Sequence, residues 1–239
     1  MLDRNPIFIR FDETHTAVAV RALPYEAPES VLNRLNLPAY RGILVIHGGA
    51  ANMEEEMILA VRQFLGITLG PLAQNERLLI AAGGTQFGVS MLLGEIRQQV
   101  GGNYPLLGVL PFQRASYPGG PPPDDRYLPL HPAYSHFVFV EGSEFGEESP
   151  LLVGLLQACG KPGLALIING GEIVLQEART HAESGNRLVT LAGSGRTADQ
   201  LADFTSDERR SLPASVHLSV AQMSNPPEFV NLIKRLLFG

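Results

Sequence analysis

The chain has 239 residues, a formal net charge of −6, 45% hydrophobic residues and 18% charged residues. This composition excludes a disordered chain, and the acidic balance, with no Lys/Arg stripe, excludes nucleic acid as a partner. At this length an α/β core buries enough surface to fold without a disulfide or metal staple.

The predicted elements run as follows. Ile7–Phe11 and Ala17–Val20 flank a polar segment and predict an N-terminal β-hairpin. Pro28 to Leu35 predicts a short helix. From residue 41 onward, continuous apolar runs recur at Ile43–Ile46, Leu78–Ala82, Leu106–Leu110, Phe137–Val140, Leu164–Ile168 and Leu188–Leu191. Runs without alternation belong to strands covered on both faces, the mark of a parallel sheet. Between them Met53–Leu65, Gly88–Val100, Pro150–Cys159 and Gly171–His181 predict crossover helices, the first with Asn52 as N-cap and Glu55 as its N3 acid. A last helix is expected from about Pro227 to Leu237.

The expected fold is therefore α/β: a Rossmann-like, doubly wound, mainly parallel sheet with an N-terminal β-hairpin. We read residues 1–239 as one domain. The hairpin and short helix occupy 1–40, the repeating core 41–204, and a C-terminal extension with a helix 205–239. Arg114 to Tyr134 holds six prolines and two glycines. It is long for a loop and reads as a lid, an interaction loop or a passive surface excursion.

The predicted strands end in small residues: Gly48-Gly49, Gly83-Gly84, Gly142-Ser143, Gly170-Gly171 and Gly193-Ser194-Gly195. In a parallel sheet these ends share one edge, where open α/β folds bind ligands. Glycine there lets the backbone take positive φ and lets a ligand approach the main chain. The amides of the following helix then face an anion. Glu54, Glu55 and Glu56 crowd the turn after Gly49 and disfavour a phosphate there, which suits a ribose or a base better. Gly83-Gly84-Thr85-Gln86-Phe87-Gly88 has no acid until Glu95 and is the better phosphate cradle. Gly193-Ser194-Gly195-Arg196-Thr197-Ala198 fits G-x-G-x-x-A, but follows the last predicted strand and lacks the later ribose-binding acid. Arg196 reads either as a phosphate fork or as a partner of Asp199 or Asp203.

Other chemistries find no motif. There is no G-x-S-x-G elbow, P-loop or H-E-x-x-H helix. No metal site is expected. Cys159, the only cysteine, reads as a buried reduced thiol. His47 reads as a packed strand-end histidine or as a ligand contact, and His136 as structural. Neither an 18-residue apolar stretch nor a signal-peptide core is found, so a cytoplasmic protein without direct membrane insertion is expected.

Taken in order, several blocks resemble the SLOG superfamily. They are Gly48-Gly49-Ala50-Ala51-Asn52, Ile80 to Val89, Leu107-Gly108-Val109-Leu110-Pro111, Ser135 to Ser143, Phe145-Gly146-Glu147-Glu148, Asn169-Gly170-Gly171 and Gly193 to Asp199. Within that superfamily they resemble the LSDAT group, soluble prokaryotic relatives of the N-terminal cytoplasmic region of TRPM ion channels. The resemblance spans residues 41 to 204. It implies a nucleotide-related ligand such as ADP-ribose or NAD, with no further cofactor required. It also implies a sensor role, read out by a separate effector protein, and a homo-oligomer is expected. By that analogy Gly49, Thr85, Gly142, Ser143 and Arg196 line the pocket. Gly48, Ala50, Gly83, Gly84, Gly88, Pro111, Glu141, Gly170, Gly171, Gly193, Ser194 and Gly195 complete the expected binding edge.

A more distant likeness is to the LOG phosphoribohydrolases, whose P-G-G-x-G-T-x-x-E motif places a Glu at an N-glycosidic bond. The equivalent stretch here, Glu141 to Glu148, lacks the Pro-Gly-Gly start and the Thr, and Glu148 matches the acid. Among Glu141, Glu144, Glu147 and Glu148, it is the candidate catalytic carboxylate. Three readings follow: a ligand sensor without chemistry of its own, a nucleotide N-glycosidase using Glu148, or an interaction module with a vestigial cleft.

Overall fold

A computed structural model describes residues 4–49 and 53–239. The hairpin strands are β1 (Ile7–Arg10) and β2 (Thr16–Ala22), and the first helix is α1 (Pro28–Leu35). Then come β3 (Gly42–Gly48), α2 (Glu55–Ile67), α3 (Leu69–Glu76), β4 (Leu78–Ala82), α4 (Gly88–Gln99) and β5 (Leu106–Pro111). Two short strands, β6 (Ala115–Ser116) and β7 (Leu128–Pro129), precede β8 (His136–Val140) and α5 (Ser149–Ala158). The chain finishes with β9 (Gly163–Ile168), α6 (Glu172–Glu183), β10 (Arg187–Ala192), α7 (Arg196–Ala202), α8 (Asp207–Arg210), β11 (His217–Gln222) and α9 (Pro226–Phe238).

Among the described residues, nine strands form one sheet in the order β1-β2-β8-β5-β4-β3-β9-β10-β11. Only β1 runs antiparallel to its neighbour, so the expected hairpin forms and joins the main sheet through β2 and β8. The apolar runs are buried on both faces, as strands of a parallel sheet require. Along β3, Leu44 and Ile46 enter one core layer while Ile43 and Val45 enter the other. Along β4 the same alternation separates Leu78 and Ile80 from Leu79 and Ala81. Phe64 and Leu65 of α2, Leu92 and Ile96 of α4 and Phe229 of α9 fill the first layer. Val31 of α1, Leu151 and Leu155 of α5, Ala178 of α6 and Leu201 of α7 fill the second.

The winding changes direction at β3. From β3 the chain steps through β4 to β5 with helices on one face. From β9 it steps through β10 to β11 with helices on the other. The adjacent strands β3 and β9 stay paired to their C-terminal ends, but the connections that leave them pass to opposite faces of the sheet and open a crevice, the switch point of a doubly wound sheet.

Several expectations need correction. Residues 205–239 contribute a sheet strand, β11, besides the expected helix; its exposed His217 and half-buried middle blunt the apolar signal. The expected cap Asn52, like the expected ligand contact Ala50, lies outside the described residues, and Glu54 stands at the cap of α2. An apolar stretch of span length does exist: Glu55–Glu76 averages a hydropathy of 1.2 over its best window. The structure interrupts it at Thr68, between α2 and α3, and buries 44% of that window in the fold. The proline-rich segment is no passive excursion, because it folds back on the turn after β4. Gln86 N–H donates to the Pro129 carbonyl at 2.8 Å, its side-chain amide to Leu130 at 2.9 Å, and His131 N–H to Gly84 at 3.0 Å.

Candidate functional site

The crevice holds a cavity of about 480 Å³. Its walls come from the ends of β3 (Ile46, His47, Gly48, Gly49) and β4 (Gly83, Thr85), and from the first turns of α4 and α6. Glu148 and Leu152, Leu128 of the proline-rich segment, and Arg196 complete it. The size falls within the range of pockets that enclose a cofactor-sized ligand. Close backbone packing explains the glycines here. A Cβ on Gly49 would stand 3.1 Å from the Gly170 Cα, so the turns after β3 and β9 touch main chain to main chain. A Cβ on Gly48 would lie 2.4 Å from Val89 of α4.

Of the expected binding residues, Gly48, Gly49, Gly83, Thr85, Gly171 and Arg196 line this cavity, together with Glu148. The other described ones do not line it, and most have a structural task. Gly84, at φ +83°, backs onto β5, where a Cβ would meet Gly108 at 2.8 Å and the Phe137 ring at 3.1 Å. Gly88, at φ 53°, opens α4, and Pro111 ends β5 beside Val140 of β8. Gly170, at φ +100°, packs under Val174.

The G-x-G turn after β10 is closed from within. The Asp199 carboxylate accepts the Gly193 amide at 2.6 Å and the Gly195 amide at 3.2 Å. Those donors are therefore committed to an internal carboxylate rather than to a ligand's phosphate. Ser194 is fully buried; its hydroxyl accepts the Asn169 amide at 2.9 Å and donates to Leu191 at 2.6 Å. It pins the ends of β9 and β10 together.

The four clustered glutamates part company in the fold. Glu141 forks with Arg21, Nε at 2.7 Å and the terminal nitrogen at 2.6 Å. Glu144 pairs with Arg114 at 2.6 Å. Glu147 turns back on its own loop and accepts the Ser143 and Glu144 amides at 2.6 and 3.0 Å, which holds its carboxyl below the usual range. A Cβ on Gly142 would collide with that carboxylate, so Gly142 and Ser143 shape the loop instead of facing the cavity. Glu148 alone turns inward. It is 7% exposed, accepts the Gly146 amide at 2.8 Å, and burial with Glu177 nearby raises its pKa to about 7.

Beside Glu148 lies a buried polar chain that sequence reasoning missed. His47 Nδ1 stands 2.7 Å from Glu177 Oε2, and His47 Nε2 stands 2.8 Å from His181 Nε2. Asn186 Nδ2 is 2.9 Å from His181 Nδ1. Ser149 Oγ donates to Glu177 Oε1 at 2.6 Å. Burial pushes the Glu177 carboxyl up, but the adjoining His47 ring and the hydrogen bonds from His47 and Ser149 outweigh it and leave its pKa lowered. Burial holds the His181 ring well below the ordinary histidine range. The available signal was periodic: Glu177 and His181 fall on the buried stripe of α6 with Val174 and Ala178. A charged residue on a buried stripe is rare unless paired.

The mouth is apolar. Phe87, Phe145 and Ile173 line it and remain 43%, 39% and 44% exposed. Arg196, at φ 47°, begins α7, and a Cβ on Gly171 would stand 2.9 Å from its guanidinium. It therefore lies against the start of α6. The site thus combines an aromatic mouth, a cationic side and an acidic, buried floor.

The comparisons agree with this fold. A solved protein named TM1055 superposes with a TM-score of 0.56 at 20% identity, covering 82% of this chain and 99% of its own. A molybdenum cofactor binding protein from the phototrophic bacterium Rippkaea orientalis superposes with a TM-score of 0.54 at 14% identity, covering 83% and 98%. At such identities the likeness is one of fold. No curated protein is matched. The family model described as SLOG in TRPM, prokaryote, matches residues 41–233, and the chain belongs to that family.

Proposed function

We propose that this protein binds a nucleotide-derived small molecule, ADP-ribose, NAD or a relative, in the β3/β9 crevice and acts as a ligand sensor. The observation that carries this reading is the joint composition of one cavity. Exposed Phe87 and Phe145 offer faces for a planar base, Arg196 offers a fork for phosphate, and Thr85 with the α4 amides offers uncharged donors. A separate effector protein reads the occupied state.

A second reading is N-glycosidic cleavage, which the inward placement of Glu148 favours. A carboxyl with a pKa of about 7 is poised to exchange a proton at neutral pH. One experiment separates the two: thermal shift with NAD, ADP-ribose, cyclic ADP-ribose, AMP and GMP, followed by chromatography of the incubated ligands. A stabilising ligand recovered intact supports the sensor. Release of free base or ribose phosphate supports the hydrolase. No shift and no turnover with any of them overturns both.

A further inference from the structure

The hydrogen bonds behind the cavity have a direction. The Asn186 side-chain nitrogen is a donor, so His181 Nδ1 accepts from it. Burial keeps the His181 ring neutral, with one ring proton, which therefore sits on Nε2 and donates to His47 Nε2. His47 in turn carries its proton on Nδ1 and donates to Glu177 Oε2. Ser149 donates to the other oxygen. Each donor in the chain points toward Glu177, so that carboxyl has no proton of its own to give. Glu148, on the neighbouring α5 cap, faces Glu177 and His47, and its Oε2 accepts the Gly146 amide, leaving Oε1 to carry a proton.

We infer that His47, His181 and Asn186 are positioning residues that assign the proton of the cleft floor to Glu148, so that the floor is an unlike pair, carboxylic acid and carboxylate, suited to the vicinal hydroxyls of a sugar. Each hydroxyl both donates and accepts, and each finds its complement here; a phosphate finds a carboxylate that repels it. The sugar of the ligand therefore lies deep, its base lies toward Phe87 and Phe145, and its phosphate lies on the Arg196 side. The titratable groups that face Glu148 or share its cavity are His47 from β3, Glu177, His181 and Glu172 from α6, and Arg196 from α7. The inference rests on the binding reading above for its ligand, but its proton assignment stands independently.

Nitrogen-15 spectra of the histidine rings of the full chain at pH 7 test the assignment without any ligand. The expected result is His47 with its proton on Nδ1 and none on Nε2, and a neutral His181 protonated on Nε2. An imidazolium at His47, or a proton on His181 Nδ1, would reverse the chain and overturn the assignment. Carbon-13 titration of the Glu148 carboxyl adds a readout that loss of packing alone does not move. Its midpoint, about 7 in the wild type, falls by half a pH unit or more in Asn186→Leu; an unchanged midpoint in a folded Asn186→Leu protein overturns the role of Asn186. If that variant does not fold, Asn186→Asp replaces the donor by an acceptor and is expected to move the His181 proton to Nδ1; persistence on Nε2 contradicts the relay. For the ligand, AMP is compared with 2′,3′-dideoxy-AMP. At least tenfold weaker binding of the dideoxy form is expected, and equal affinity overturns the sugar placement. Binding of neither nucleotide overturns the binding reading while the spectra still decide the proton.

Discussion

Nδ1 of His47, at the end of a central strand, stands 2.7 Å from a carboxylate oxygen of Glu177, on a helix 130 residues later in the chain. The pair is buried, and it faces the one inward-turned glutamate of the loop before α5. Strand β3, helix α6 and the loop before α5 thus meet at one floor that holds two buried carboxyl groups and a histidine, a costly arrangement to build in a core.

That cost has a pH signature. Glu148 has a pKa raised from its ordinary 4.5 to about 7 by burial. A raised acid favours the folded state while protonated, so the folded state is penalised as pH rises from about 4.5 through 7. Glu148→Gln keeps the acceptor for Gly146 and removes the charge. It is expected to stabilise the protein by about 1–3 kcal/mol at pH 8 and hardly at all at pH 5. Urea unfolding at the two pH values measures it; a loss of stability at pH 8 contradicts the burial of an ionisable acid there.

At low pH other groups act. Burial lowers the pKa of His181, and lowers that of His136 to about 4. A lowered base favours the folded state while neutral, so stability is lost as pH falls below about 6.5. Glu177, also lowered, adds to this loss below its ordinary 4.5. Melting temperature is expected to decline steeply below pH 5, and the decline is shallower in His136→Gln. Superimposable profiles for wild type and variant contradict the assignment.

Arg196→Ala is expected to weaken a phosphorylated ligand by about 1.5–3 kcal/mol, the value of a charge-assisted hydrogen bond. The corresponding unphosphorylated nucleoside should bind the variant and wild type alike. Calorimetric titration of AMP and adenosine checks both; equal loss for both would remove Arg196 from the phosphate side.

Gly84→Ala is expected to act on folding rather than on the cavity. Its new Cβ would meet Gly108 at 2.8 Å with the backbone at φ +83°, which costs on the order of 1–3 kcal/mol. Asp199→Ala uncovers the Gly193 and Gly195 amides and is expected to cost about 1–2 kcal/mol, like other lost caps. Chemical denaturation measures both, and wild-type stability in either contradicts the geometry.

The core strands and the glycine-lined edge of the crevice were legible because continuous apolar runs and terminal glycines are local signals. β11 was not legible, because an edge strand is half solvated and its apolar run is broken by Ser219. Among the glycines, sequence shows a need for a missing Cβ but not which neighbour demands it. At Gly49 the demand comes from Gly170 at the crevice, and at Gly84 it comes from Gly108 in the core. The G-x-G-x-x-A pattern misled for a related reason. Its amides do face a carboxylate, but that carboxylate is the chain's own Asp199. Glu177 and His181 escaped notice because their meaning depends on His47, which only the fold brings to them.

Amide chemical-shift mapping during titration with ADP-ribose tests the central claim most directly. The account predicts saturable shifts at Gly48, Gly83, Thr85, Gly171 and Arg196, with Gly193 and Gly195 little changed. Shifts centred on Gly193 and Gly195, or no saturable shift with ADP-ribose, NAD or AMP, would contradict it.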